Sequence, residues 1–203
     1  MSAENDKKPS RRPLVLIALI ALAPFVASYS AYYWLTPSKR VNYGDLLETF
    51  PAPALTGLRS DGTAFALADM RGKWLLLVVD QDVNDNACGD ACRRALHATR
   101  QARTIQGREK DRVGRLLLQS TMQSTVAPLR SPDLATDHPD LAVAAATAEQ
   151  LARLPIRAGT IDKGVSIFLL DPRGNLVLRY PADPDIKRLA NDLRRLLGAS
   201  QIG

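Results

Sequence analysis

The chain is sparing with the side chains that carry redox and metal chemistry: 203 residues hold two cysteines and two histidines. That scarcity excludes a scaffold of several disulfides and any site built from a cluster of thiolates. No internal repeat is present, which excludes solenoids and propellers. Long blocks of one charge are missing too. The net charge of +6 comes from basic residues interleaved with acids, as in RQARTIQGREKDRVGR, a pattern that reads as a solvated helix face and not as a nucleic-acid surface. A hydrophobic content of 46% marks a globular chain with enough apolar material for a core.

One long hydrophobic run is present. PLVLIALIALAPFVASYSAYYWL, Pro13 to Leu35, carries no charge and is about long enough to cross a bilayer as a helix. Lys7, Lys8, Arg11 and Arg12 precede it, and Lys39 and Arg40 follow. The basic cluster puts the N-terminus in the cytoplasm, and Tyr29, Tyr32, Tyr33 and Trp34 fall where an interfacial aromatic belt belongs. The expected organisation is a cytoplasmic tail at 1–12, a transmembrane anchor at 13–35, a linker at 36–50 and a periplasmic domain at 51–203. The protein would thus be a single-pass protein of the inner (cytoplasmic) membrane. The alternative is a cleaved signal peptide processed near Ser28 and Ser30, but the run is long for a signal h-region. Either way the domain is exported, and its cysteines lie where disulfides persist.

In the exported part, SDGT between short apolar segments predicts a hairpin, Ala54–Leu58 against Ala64–Leu67. KWLLLVVD, Lys73–Asp80, reads as a strand buried on both faces. A weakly apolar helix is expected over Asp90–Ile105, then a buried strand over Arg112–Ser120. A proline-rich loop follows, and the alanine-rich DLAVAAATAEQLARL predicts a helix over Asp140–Leu154. Val165–Leu170 and Leu176–Tyr180 flank a DPRGN turn and form a second hairpin. The last helix should start at Asp183 as N-cap, bury Ile186, Leu189, Leu193 and Leu196 or Leu197, and stop at Gly198. This alternation predicts an α/β domain with a central mixed sheet flanked by helices.

Both cysteines sit in NDNACGDACRRALHATR, residues 84–100, at the junction between the central strand and its helix. A metal clamp, a redox pair and a structural staple are the three readings. Four positions apart on a helical turn, their Cα atoms would lie roughly 6 Å apart, within the disulfide window. A bridge over so few residues restrains the unfolded chain little, so it is an inefficient staple. The helix start favours thiolate, and Arg93 and Arg94 add positive charge. Cys88, expected to be the more exposed, is the candidate nucleophile and Cys92 the resolving thiol. Two thiolates also suit Cu(I), whereas Cu(II) calls for a nitrogen ligand. Asp80, Asp82, Asp85 and Asp90 make the approach acidic. His97 is turned away from the pair and reads as a surface or packing histidine. His138, in TDHPD, is a candidate third ligand whose neighbouring carboxylates should raise its basicity.

The element order, the DGTAFALADMRGKWLLLVV lead-in, the CxxxC spacing of CGDAC and the IFLLDPRGNLVLRY hairpin resemble the thioredoxin-like superfamily, and within it the Sco/SenC/PrrC branch. That resemblance implies a thioredoxin-like fold behind a membrane anchor, Cu(I) bound by Cys88 and Cys92, and cytochrome c oxidase subunit II or its assembly factors as partners. It also implies a histidine ligand within an Asp-His pair before the hairpin strand; here Asp162 is followed by Lys163. Ordinary thioredoxins place a cis-proline before that strand, where this chain has Gly164. Three functions follow: Sco-like assistance to oxidase assembly by Cu(I) binding or thiol–disulfide exchange, a general thiol–disulfide oxidoreductase, and a non-catalytic thioredoxin-fold interaction module.

Overall fold

The computed structural model describes residues 11–34, 42–81, 88–121, 132–156 and 164–200. The chain divides into two units, Met1–Val41 and Asn42–Gly203. In the first, α1 (Arg12–Trp34) is one helix of 23 residues, long and apolar enough to span a bilayer. Pro24 lies inside it, removing one backbone donor. Tyr29 and Tyr33, one turn apart, bring their rings to 4.6 Å.

The second unit is built on one sheet of eight strands. These are β1 (Asp45–Pro51), β2 (Thr56–Arg59), β3 (Ala64–Ala66), β4 (Trp74–Asp80), β5 (Val113–Thr121), β6 (Leu141–Thr147), β7 (Val165–Leu170) and β8 (Asn175–Tyr180). Their spatial order is β1-β8-β7-β4-β5-β6-β2-β3. β4, β5 and β6 run parallel, and β7 lies antiparallel against β4. The helices are α2 (Asp90–Ile105), α3 (Pro132–Asp137), α4 (Ala148–Leu151) and α5 (Ile186–Ala199).

All seven residues of β4 are buried, because the strand has a neighbour on each edge and a layer on each face. Trp74, Leu76 and Val78 pack with Ala95, Leu96, Leu189 and Leu193 of α2 and α5. Leu75, Leu77 and Val79 pack with Phe65, Leu67, Leu151 and Leu154 on the opposite face. The predicted hairpins and strands are present with end shifts of at most one residue, except that β2 starts two residues later than expected, at Thr56. The bounds of α2 coincide with the expected ones, and its buried set of Ala91, Cys92, Ala95, Leu96, Ala98, Thr99 and Ala102 follows helical spacing.

The predicted helix over Asp140–Leu154 is not formed: Leu141–Thr147 is strand β6, and only Ala148–Leu151 is helical. β6 lies between β5 and β2 and gains ladder partners on both edges, which outweighs alanine's helix preference of a few tenths of a kcal/mol per residue. Leu141 and Val143 face α2, while Ala144 and Ala146 face the other core, the period of two that a strand requires. Gly57 lets β2 approach, since a Cβ there would collide with the Ala145 carbonyl oxygen. Within the expected linker, Asp45–Pro51 forms β1 and pairs with β8. Asp185, not Asp183, caps α5, accepting from the Arg188 amide at 3.0 Å, and Gly198 lies within the helix.

Two buried charged groups tie the layers together. The Asp192 carboxylate accepts from the Tyr43 amide at 2.9 Å, the Gly44 amide at 2.9 Å and the Tyr180 hydroxyl at 3.3 Å, fixing the segment that enters β1. Burial, then the Asp192 charge, pushes the Tyr180 phenol far above its ordinary range. On β5, the fully buried Arg115 pairs with Asp140 at 3.1 Å. It also donates to the Leu96 carbonyl at 2.7 Å and to the Thr99 hydroxyl at 3.2 Å. Burial lowers its pKa to about 10, with Asp140 acting in the opposite direction. Arg103 adds a second contact to Asp140 at 3.3 Å.

His138 lies beside this network, and its basicity is lowered, not raised as TDHPD suggested. Burial comes first and the Arg115 and Arg100 charges next, outweighing Asp137 and Asp140.

Replacing Arg115 with Met should destabilise the domain by about 2–4 kcal/mol, because Asp140 and the Leu96 carbonyl lose their buried partner; urea denaturation of the full chain in micelles measures this. For His138, the folded pKa lies below the unfolded one. Unfolded chains therefore take up the proton first, and stability falls as pH drops below about 6.5 until the folded imidazole titrates. His138→Gln should flatten the stability profile between about pH 7 and 5 relative to the native chain.

Candidate functional site

The site forms where β4 ends and α2 begins. Cys88 precedes the helix, Gly89 is its N-cap, and Cys92 is its third residue. The two sulfurs are bonded to each other, with Cα atoms 5.2 Å apart. Cys88 therefore does not share a helical turn with Cys92 but approaches it from the incoming chain. Both are buried, at 5% and 1% exposure, so Cys88 is only marginally the more accessible and no thiol stands free at the surface.

Gly89 brings no side-chain cap. The first-turn amides and the positive end of the helix therefore remain available to negative charge developing on sulfur. Arg93 reinforces this: its Nε donates to the Cys88 carbonyl at 3.2 Å, while its amide bonds the Gly89 carbonyl at 2.9 Å. Arg94 is directed away, toward Asp183 at 3.6 Å. Asp90, in the first turn, acts against the arginines.

Of the acidic approach, Asp80 is buried at the end of β4, on the face that packs against α2, while Asp90 is exposed and Asp82 and Asp85 lie outside the described residues. Asp80 is opposite Gln119 on β5 and Val165 on β7, so the strand's end carries a polar pair flanked on the other side by an apolar residue.

The neighbouring β7 entry begins at Gly164, whose φ is +80° and whose carbonyl accepts from the Gln81 amide at 2.9 Å. A proline, with φ fixed near −65°, does not fit that conformation. The geometry here thus departs from a thioredoxin site as well as the sequence does. Asp162 and Lys163 lie outside the described residues.

His138 is not brought to the cysteines. It stands at the start of β6, where Leu141 pairs with Arg115, at the opposite end of the parallel strands from the disulfide. His97 is exposed on α2, as expected for a surface histidine. Among the described residues no three His, Cys, Asp or Glu side chains converge as a metal site. A wide groove of about 430 Å³ lined by Thr56, Phe65, Asp69 and Gln150 opens on the β2–β3 hairpin and includes neither cysteine. Sequence reasoning missed the uncapped Gly89, the Arg93–carbonyl contact and the role of Gly164. The Cys-Gly-Asp order and a lone glycine before a β-branched run were the available signals.

Solved structures share this fold at low identity. Copper-bound ScoI from Arabidopsis thaliana is 16% identical, with a TM-score of 0.57, covering 74% of this chain and all of that one. Apo Sco1 from Thermus thermophilus is 20% identical, with a TM-score of 0.52 over 80% and 98% of the two chains. A DsbF homologue from Corynebacterium diphtheriae is 14% identical, with a TM-score of 0.52 over 81% and 96%. No curated protein matches the chain by sequence. The profile of one family does match, over residues 74–200, from the central strand through the disulfide to the last helix. By that match the chain belongs to the family described as the transmembrane-like, thioredoxin-like C-terminal domain.

Proposed function

We propose that this is a Sco-like protein of the inner membrane, with its domain in the periplasm, that assists cytochrome c oxidase assembly through thiol–disulfide exchange at Cys88 and Cys92. Cu(I) is the ion its reduced pair would hold. Subunit II or its assembly factors would be the targets. The carrying observation is the bonded cysteine pair at an uncapped helix start, within a fold shared with copper-bound Sco proteins and with thiol–disulfide oxidoreductases.

In the working direction, the Cys88 thiolate attacks one sulfur of a target disulfide, and the other target sulfur leaves as thiolate. The Cys92 thiolate then attacks Cys88 Sγ, closing the 88–92 bond and expelling the second target thiolate. The target gains two electrons and, on protonation, two protons. The domain ends oxidised, the state seen here, and a dithiol donor must return it to the reduced form.

As for copper, the two sulfurs fit Cu(I), which accepts two soft ligands. The histidines at 97 and 138 stand away from them, so the described residues do not supply the nitrogen that Cu(II) requires.

The test is anaerobic Cu(I) titration of the reduced full chain against a competing chelator, paired with equilibration in glutathione redox buffers, for the native chain and Cys88→Ser. Reversible two-electron reduction and one-to-one Cu(I) binding, both lost in the variant, are expected. A pair that stays oxidised across the buffers would overturn exchange, and absence of competitive Cu(I) binding would remove copper from the reading. Full oxidase assembly by a Cys88→Ser, Cys92→Ser chain would instead select a docking module.

A further inference from the structure

The two helices that cover the site face of the sheet carry a charge pattern that the fold does not use. α2 and α5 contain eight basic residues and two acidic ones, and one of the acids, Asp192, is buried. The helices pack on each other in one layer, sharing the core of Ala95, Leu96, Leu189 and Leu193. Gln106 bridges them, donating to the Ala102 and Ala190 carbonyls at 2.8 and 3.1 Å. Their outer surfaces therefore form one exposed face. Arg93, Arg94, Arg100, Lys187, Arg188 and Arg194 all stand on it exposed. Asp183 and Asp185 offset only Arg94 and Arg188. Among the described residues Arg93, Arg100, Lys187 and Arg194 form no ion pair within 4.0 Å.

This cationic face begins at the disulfide, since Arg93 follows Cys92 directly and holds the Cys88 carbonyl. A partner that brings a sulfur to Cys88 meets the start of α2, where Arg93 and Arg94 stand exposed. This face is predominantly basic, with Asp90, Asp183 and Asp185 as its exposed acids, and such a face beside a reactive group raises encounter rates, by about 10- to 1,000-fold at most, for a ligand of opposite sign, an effect that salt removes. We infer that the α2–α5 face is the docking surface for the dithiol protein that reduces Cys88–Cys92, and that this donor presents an acidic surface around its thiols. The inference rests on the exchange reading above.

The donor's first thiolate attacks Cys88 Sγ, the 88–92 bond breaks, and Cys92 leaves as thiolate at the start of α2. The donor's second thiolate then attacks its own sulfur in the mixed disulfide and expels the Cys88 thiolate. Two electrons pass to the domain and the donor ends as a disulfide. An anionic lipid surface is the other class such a face could meet. Lying flat on lipid, however, would cover the helix start through which the disulfide is reached, so the donor is favoured.

The experiment uses the oxidised full chain in nonionic micelles and two dithiol peptides matched except for flanking glutamates or lysines, with dithiothreitol as the neutral reductant. At about 20 mM salt the acidic peptide should reduce the disulfide at least about tenfold faster than the basic one, and by about 500 mM the two should agree within about twofold. Arg100→Glu combined with Arg194→Glu should abolish the preference while leaving the dithiothreitol rate unchanged. Equal peptide rates with an active dithiothreitol control, or a preference that survives the double variant, would overturn the docking surface alone. Failure of dithiothreitol to reduce the bond would overturn the exchange reading and this inference with it. In nanodiscs, reduction by the acidic peptide that is slowed by phosphatidylglycerol relative to phosphatidylcholine, and restored by the double variant, would assign the face to lipid and overturn the donor.

Discussion

The enclosure of β4 on all four sides is the constraint on which the rest of the domain hangs. A strand with ladder partners on both edges and apolar layers on both faces has no freedom to slide or tilt. Each of its large apolar side chains contributes about 1.5–3 kcal/mol by leaving water. Its carboxyl end is then a fixed point, and the chain leaving it must turn into α2 to cover the sheet. Cys92 lies in the first turn of α2, which packs on that strand, and is bonded to Cys88, so the rigidity of the core becomes positional accuracy at the sulfurs.

At the disulfide two effects oppose each other. Burial makes any thiolate formed there expensive, by several kcal/mol if nothing compensates. The uncapped helix start and the Arg93 guanidinium return about 0.3–2 kcal/mol each at most. Burial is the larger, so a thiolate there calls for a compensating partner. A reduced pair is stabilised chiefly when something positive or covalent meets the sulfurs: a soft cation, or the sulfur of a partner. The site is in this sense built to be completed by what it reacts with.

Much of this could be read from the residues, and the exceptions have physical causes. The β4 run, both hairpins and the bounds of α2 were legible because their patterns have short periods and clear punctuation, such as SDGT and DPRGN. The strand β6 was not. AVAAA carries little periodic contrast, and its strand state is decided by the ladders of β5 and β2, which lie elsewhere in the sequence. β1 was hidden for the same reason, since its only ladder partner is β8, far along the chain. The cysteine pair was legible as a pair, but its burial was not, because exposure is set by packing against residues distant in sequence. His138 was misjudged because its carboxylate neighbours are local in sequence, whereas Arg115 and Arg100 reach it only through the fold.

The departures from a thioredoxin site converge on one consequence. Gly164 adopts a left-handed conformation closed to proline, so the strand entry that would otherwise constrain an incoming peptide beside the disulfide is differently shaped. The histidine ends of the fold are occupied too: His97 faces outward on α2, and His138 is held beside Arg115 at the far end of β5 and β6. Among the described residues the reacting end holds sulfur, backbone amides, the Arg93 guanidinium and the carboxylates of Asp80 and Asp90. Such a set discriminates by charge and by softness. On the exchange reading, the charged surfaces of α2 and α5 that lead to the sulfurs then contribute to recognition, and the chemistry itself is left to two atoms.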